Sequence, residues 1–285
     1  MRAERRPQCK PRRSRGGLEA EAVQVLITND DGIRAPGLKA LAERRPRDCR
    51  LWVVAPDRER SATGHAITVH KPLFMGRYDL GEGIEAFHVN GTPSDCVKLA
   101  LELMETPPAV VISGINRGAN LGTDVMYSGT VSGAVEAAVA GFPAIAVSLD
   151  SHEASEPRDF DLAARVAWYM ARLLARHGLP AGTLLNVNVP AGAEVKGFRV
   201  TRLGIRRYRD VFDRRVDPRG RVYYWMAGEV EDLDQDDIST DTGAVRAGYI
   251  SVTPIEFDLT KYAALDVVRD WNLDLSAVAA PWEGQ

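Results

Sequence analysis

Residues 23–43 read V-Q-V-L-I-T-N-D-D-G-I-R-A-P-G-L-K-A-L-A-E. The opening six residues are a short, β-prone apolar run, the pattern of a strand buried on both faces of a parallel sheet. The polar N-D-D-G ends that run. From Pro36 onward apolar residues recur at helical spacing. Proline suits the first turn of a helix because its missing N–H would have no partner there.

The same alternation continues along the chain. L-W-V-V-A (51–55), I-E-A-F-H-V (84–89), A-V-V-I-S (109–113), A-I-A-V-S-L (144–149) and T-L-L-N-V-N-V-P (183–190) read as further strands. Between them, Thr92 is placed to cap a helix with Pro93 in its first turn and Asp95 three residues after the cap. A Gly-rich loop should lead into a small-residue helix ending near Gly141. Residues 159–176 set Leu162, Val166, Met170 and Leu173 on one helical face, with Gly178 just past the end. Strands alternating with helices in this way predict an α/β fold with a doubly wound, mostly parallel sheet.

The periphery has a different character. Residues 1–22 are dense in arginine and hold almost nothing that would enter a core, so they read as a disordered basic tail. A nucleic-acid-binding arm is the functional alternative for them. Residues 23–190 form the expected α/β catalytic core. Beyond Pro190 come short β-like pieces (F-R-V-T-R, V-Y-Y-W-M, Y-I-S-V-T-P-I) between charged loops, and roughly the final 25 residues look helical. Residues 191–285 thus read as a β-rich segment with a helix, suited to oligomerisation. The stretch R-Y-R-D-V-F-D-R-R-V-D-P-R-G-R (207–221) has no assignable role.

Composition narrows the function classes. Of 285 residues, 45% are hydrophobic and 26% charged, ordinary values for a soluble globular protein. A formal net charge of -3 argues against stable nucleic-acid binding by the whole chain. The three cysteines, Cys9, Cys49 and Cys96, are far apart, which disfavours a disulfide framework or a structural zinc site. No apolar run approaches a membrane span, and no apolar stretch backs the basic N-terminus as a secretory signal would require. A cytoplasmic location is expected.

In open α/β sheets, ligands bind beyond the carboxyl ends of the strands. Three loops there carry chemistry. Asp30 and Asp31 are adjacent carboxylates, which repel each other unless a cation lies between them; Mg²⁺ and Mn²⁺ take oxygen ligands of this kind. A plain polar turn built around Gly32 is the alternative. The loop A-P-D-R-E-R-S-A-T-G-H offers Ser61 as a hydroxyl ligand and Arg58 and Arg60 as anion partners, though solvated surface loops look similar. The stretch from Ser113 to Ala134 is rich in glycine and includes Asn116 and Asn120. Glycine lets backbone N–H groups approach a ligand, and a helix starting near Ser128 would attract an anion. A phosphate at Ser128, Gly129 and Thr130 is therefore expected. The stretch matches neither the Walker A loop nor G-x-G-x-x-G. Of the histidines, only His65 lies where it could approach such a site.

Taken together, I-T-N-D-D-G-I-R-A-P-G-L, V-V-A-P-D-R-E-R-S-A-T-G-H-A-I-T, N-G-T-P-S-D-C-V, S-G-I-N-R-G-A-N-L-G-T-D-V-M-Y-S-G-T-V-S-G-A and, later, G-Y-I-S-V-T-P-I-E-F-D-L-T resemble the SurE family of nucleotidases. The resemblance spans roughly residues 23–262, with the motifs in order. It implies a Rossmann-like core, a C-terminal segment that takes part in a homodimer or homotetramer, and 5′/3′-nucleotidase activity on nucleoside monophosphates, with short polyphosphate as a further substrate. It implies one divalent cation per subunit, with Asp30, Asp31, Ser61 and Asn116 at the ligand positions and Ser128 at the family's site serine. On this reading Asp30, Asp31 and Ser128 are catalytic, and Asn116, Asn120, Ser128, Gly129 and Thr130 contact substrate. Ser132 and Gly133 depart from the more alanine-rich run expected after Y-S-G-T. A non-catalytic nucleotide sensor is the rival class; carboxylates beside a phosphate disfavour it unless a metal is present.

Overall fold

The computed structural model describes residues 22–192, 194–209 and 211–275. Almost all of the expected tail, and the last residues of the expected C-terminal helix, lie outside that range. The first part of the chain runs β1 (Val23–Thr28), α1 (Pro36–Glu43), β2 (Cys49–Pro56), β3 (Met75–Tyr78), β4 (Ile84–Val89), α2 (Pro93–Leu103), β5 (Val110–Arg117), α3 (Gly129–Val139), β6 (Ala144–Asp150), α4 (Asp161–His177) and β7 (Thr183–Pro190). It continues through β8 (Phe198–Val200), β9 (Arg206–Arg209), β10 (Phe212–Val216), β11 (Val222–Met226), β12 (Glu229–Asp232), α5 (Asp241–Arg246), β13 (Ile250–Glu256) and α6 (Leu265–Arg269).

Nine strands form one sheet in the order β3-β4-β2-β1-β5-β6-β7-β13-β8. From β4 to β7 every pairing is parallel. β3 and β13 add antiparallel neighbours to the two ends of that parallel block. The chain leaves β1 toward β2 and later returns to β5 on the opposite side, so the crevice between β1 and β5 is the topological switch point.

Side chains alternate across β1. Val25 and Ile27 join the cluster covered by α1 and α4, while Leu26 joins the one covered by α2 and α3. Leu38 and Leu41 of α1 are fully buried, each contributing about 1.5–3 kcal/mol. Trp168 of α4 donates its indole N–H to Leu41 O at 2.9 Å, tying the two helices together. On α4, Val166 and Met170 are buried and Leu162 and Leu173 half-buried. Gly178 ends that helix at φ +67°. The expected capping box of α2 is present in full: Asp95 N–H donates to Thr92 Oγ1 at 3.1 Å, and Thr92 N–H donates to Asp95 Oδ2 at 2.8 Å.

Two expectations change. The Gly-rich stretch does not leave the sheet at Ser113, because β5 runs on to Arg117 through an irregularity between Ser113 and Asn116. The C-terminal helix is shorter than expected within the described residues: a 3-10 turn (Tyr262–Ala264) leads into the five-residue α6. Asn272 then takes φ +51°, a left-handed conformation that cannot continue a helix. Among the described residues, no helix is long and apolar enough to cross a membrane.

Candidate active site

The turn after β1 is closed by its own first side chain. Asn29 Nδ2 donates to Gly32 O at 3.0 Å, and Asn29 Oδ1 accepts the Gly32 N–H at 3.2 Å. Gly32 sits at φ +96°, and a Cβ there would lie 3.0 Å from the backbone of Arg58. Glycine is thus required both for the backbone angle and for the close approach of the next loop. That loop is clamped to the turn: Arg60 N–H donates to Asp30 O at 2.7 Å, and Ile33 N–H to Pro56 O at 2.8 Å.

The two carboxylates are held by different elements. Asp30 is buried and accepts a very short hydrogen bond from Thr130 Oγ1 at the start of α3. Asp31 is half-buried and accepts the Arg117 N–H at 3.1 Å from the end of β5. Asn116 precedes Arg117, just past the irregularity in β5. Gly114 lies inside it at φ +138°, and a Cβ there would meet Val147 O at 2.3 Å. Such a bulge re-aims the following side chain. Asn116 Nδ2 donates to Gly118 O at 2.7 Å.

Across the crevice, α3 points its N-terminus at the same place. Ser128 is the cap: its Oγ accepts the Val131 N–H at 3.0 Å, which leaves the hydroxyl proton available to a ligand. Gly129 is the first helical residue, and a Cβ on it would stand 2.7 Å from Asp30 Cβ. The two departures in this helix have packing reasons. A Cβ on Gly133 would lie 2.9 Å from Ser113 Oγ and 3.0 Å from Thr28 Cγ2, so glycine seats α3 directly on β1 and β5. Ser132 Oγ donates to Ser128 O at 2.6 Å within the first turn.

Other expected site residues have partners within the protein. Thr130 is fully buried, and its hydroxyl serves Asp30. Asn120 donates its amide to Ser148 Oγ at 2.8 Å, while its backbone N–H and C=O are bound by Asn188 and Asn186 on β7. Arg60 bonds Asp57 and Asn90 O. Ser61 is exposed, and its hydroxyl donates to Glu59 Oε1 at 2.5 Å. His65 turns to Glu136, and His88 packs against Gly76. A cavity of about 360 Å³ opens one strand further along, between Leu149, Glu153, Asp159 and Pro190; none of the expected site residues lines it.

Three contributors escape a reading of the sequence. Asn29 builds the turn, Arg117 holds Asp31 through its main chain, and Glu59 adds negative charge to the pair. Only Glu59, an acid beside Ser61, carries a signal in its residue type.

Electrostatics follow from the packing. Burial raises the Asp30 carboxyl above the ordinary range, against the hydrogen bonds from Thr130. Burial, and next the charge of Asp30, push Asp31 up to about 6; the Arg117 contacts offset this in part. Among the described residues, no group of three or more His, Cys, Asp or Glu side chains is arranged to hold a metal ion. The available set is two carboxylates with neutral oxygens from an amide and a hydroxyl. Such hard donors, with uncompensated negative charge, fit a small divalent cation of the Mg²⁺ or Mn²⁺ type.

Comparison with known proteins bears on this crevice. The family model described as survival protein SurE matches residues 25–210. The 5'-nucleotidase SurE of Moorella thermoacetica is 55% identical over 243 residues, covering 84% of this chain and 92% of that protein. The 5'-nucleotidase SurE of Symbiobacterium thermophilum is 53% identical over 255 residues, covering 87% and 98%. The crystal structure of the SurE protein from Aquifex aeolicus superposes with a TM-score of 0.76 at 40% identity, covering 88% of this chain and all of that one.

Proposed function

This chain belongs to the SurE family, and from that premise we propose that it hydrolyses nucleoside monophosphates to nucleoside and phosphate in the crevice between β1 and β5. The observation that carries the reading is the meeting of two desolvated carboxylates with the N-terminus of α3 at the switch point of the sheet. Asp30, Asp31, Ser61 and Asn116 would hold one divalent cation per subunit, Mg²⁺ or Mn²⁺. Bound there, the cation supplies neutralisation of phosphate charge and acidification of water.

The remaining work falls to the chain's own groups. Ser128 keeps its oxygen on Val131 N–H and offers its proton to a phosphate oxygen. The Gly129 amide and the helix dipole add donors where negative charge develops. Thr130 orients Asp30, the Arg117 amide orients Asp31, and Asn120 braces the glycine-rich loop against β6 and β7. Both aspartates are anchored in this way, which favours attack by water over attack by a carboxylate. Short polyphosphate presents the same terminal phosphoryl group and is a further substrate.

All of these residues lie within 23–190. The segment from 191 onward supplies a two-stranded antiparallel ribbon, β10 with β11, whose Phe212, Tyr224, Trp225 and Met226 are exposed, and which we assign to a homodimer or homotetramer in the cytoplasm. The test is phosphate release from AMP with Mn²⁺ or Mg²⁺, before and after EDTA. Turnover that EDTA abolishes and metal restores is expected. Nucleotide binding without turnover would leave a sensor module, and full turnover after demetallation would sink the metal assignment.

A further inference from the structure

Between β2 and β3 the chain crosses residues 57–74 with no regular secondary structure, and Ser61 lies within that crossing. One anchor lies just before Ser61, where Arg60 N–H meets Asp30 O. Ala62 and Gly64 then take φ +53° and +52°. An alanine holds such a conformation only where its surroundings over-determine it. The second anchor follows at once. Gly64 N–H donates to Tyr127 O at 3.1 Å, and His65 Nε2 pairs with Glu136 Oε2 at 2.8 Å. Thr68 then binds both Asp95 oxygens, at 2.8 and 2.6 Å.

Glu136 is the unusual member. It is 4% exposed, on a helix whose neighbouring positions are Ala134, Ala137 and Ala138, all buried. A carboxylate is costly in such a place unless paired, and an apolar residue there would be no worse for folding. Its two oxygens are divided between His65 and Lys98 Nζ, the latter also at 2.8 Å. Glu136 lies seven residues along the helix whose N-terminus is the proposed phosphate cradle, about 10 Å from it.

We propose that Glu136, acting through His65, is a positioning residue that fixes the backbone carrying Ser61 relative to the Asp30–Asp31 turn and the N-terminus of α3. The proposal rests on the metal assignment above. Ser61 touches neither residue, so the effect passes through the short backbone path from Ser61 to His65.

The test is direct Mn²⁺ binding to the full-length protein, read by the electron paramagnetic resonance of free Mn²⁺, without turnover. Wild type, Ser61→Ala, His65→Ala, the double variant, Glu136→Gln and Lys98→Ala are compared, with a melting curve for each. His65 is partly exposed, so its truncation leaves a foldable protein. His65→Ala and Glu136→Gln are expected to weaken Mn²⁺ binding about tenfold, the usual scale for groups that orient a ligand. The double variant should be no weaker than Ser61→Ala alone, because both changes remove one ligand. Lys98→Ala, which takes the other partner from Glu136, should stay within about twofold of wild type. Unchanged Mn²⁺ affinity in His65→Ala, or losses that add to those of Ser61→Ala, would overturn the positioning role while leaving the metal site standing. Wild type that binds no Mn²⁺ would overturn both.

Discussion

The crevice at β1 and β5 and the ribbon of β10 and β11 are opposites. In the crevice, polar groups are buried: Asp30, Ser128 and Thr130 are all under 10% exposed. On the ribbon, apolar groups are exposed: Phe212, Tyr224, Trp225 and Met226 are all at least 59% exposed. Each arrangement is unfavourable on its own, the first for want of positive charge and the second for want of cover. The two regions are thus unbalanced in opposite ways, and the cation and the partner subunit proposed above would each complete one of them. They are also joined. Arg206, beside the ribbon, pairs with Asp232 at 2.7 Å and with Asp124 of the glycine-rich loop at 3.0 Å, and Tyr208 OH donates to the same Asp124 oxygen at 2.8 Å.

The largest effect should come from removing charge in the crevice. Asp31→Asn is expected to lower AMP hydrolysis about a thousandfold, yet to raise the melting temperature of the EDTA-treated protein by several degrees. The signs are set by linkage. The folded state holds the Asp31 proton up to pH about 6, whereas the unfolded chain releases it near 3.9. Ionising Asp31 therefore destabilises the metal-free fold. Metal-free stability should fall as pH rises from about 4 to 6, and this fall should shrink in the variant. A variant that melts well below wild type would make the pair structural and erase the contrast between the regions.

Ser128→Asp comes next. Aspartate caps a helix as well as serine does, so the melting temperature should hold. AMP hydrolysis should drop at least about a hundredfold, from loss of a donor and repulsion of the phosphate. Normal kinetics would move the phosphate away from α3.

The smallest effect on catalysis belongs to the ribbon. Trp225→Asp should shift the light-scattering mass from a multiple of the chain mass to that of one chain, with AMP turnover within about threefold of wild type. Wild type that is itself monomeric would leave the ribbon without its proposed cover. Loss of turnover in step with mass would show that the Arg206–Asp124 link carries assembly into the site.

Apart from β3 (Met75–Tyr78), a four-residue edge strand that the sequence did not announce, the elements from β1 to β7 were legible because their signals are local. Thr92 and Asp95 cap α2 from within four residues of chain, and the strand runs announce burial by composition. Asp30 and Asp31 were legible for the same reason, being adjacent in a turn. The roles of Thr130 and Asn120 were not. Each is a polar residue in a glycine-rich loop, and nothing in their spacing distinguishes a group that binds a phosphate from one that holds a neighbouring side chain.

The sequence by itself determined the β-α alternation, the acid turn, the cap of α2 and the family, since each depends on residues close together or on motifs in order. Only the tertiary structure decided that Thr130 serves Asp30 from a hundred positions away, that His65 meets Glu136 across 71, and that β13, beyond the ribbon, closes on β7. The physical reason is that hydrophobic pattern says which side of an element faces inward. Which elements then become neighbours depends on how the whole sheet is covered, and pairings at long range are fixed only by that packing.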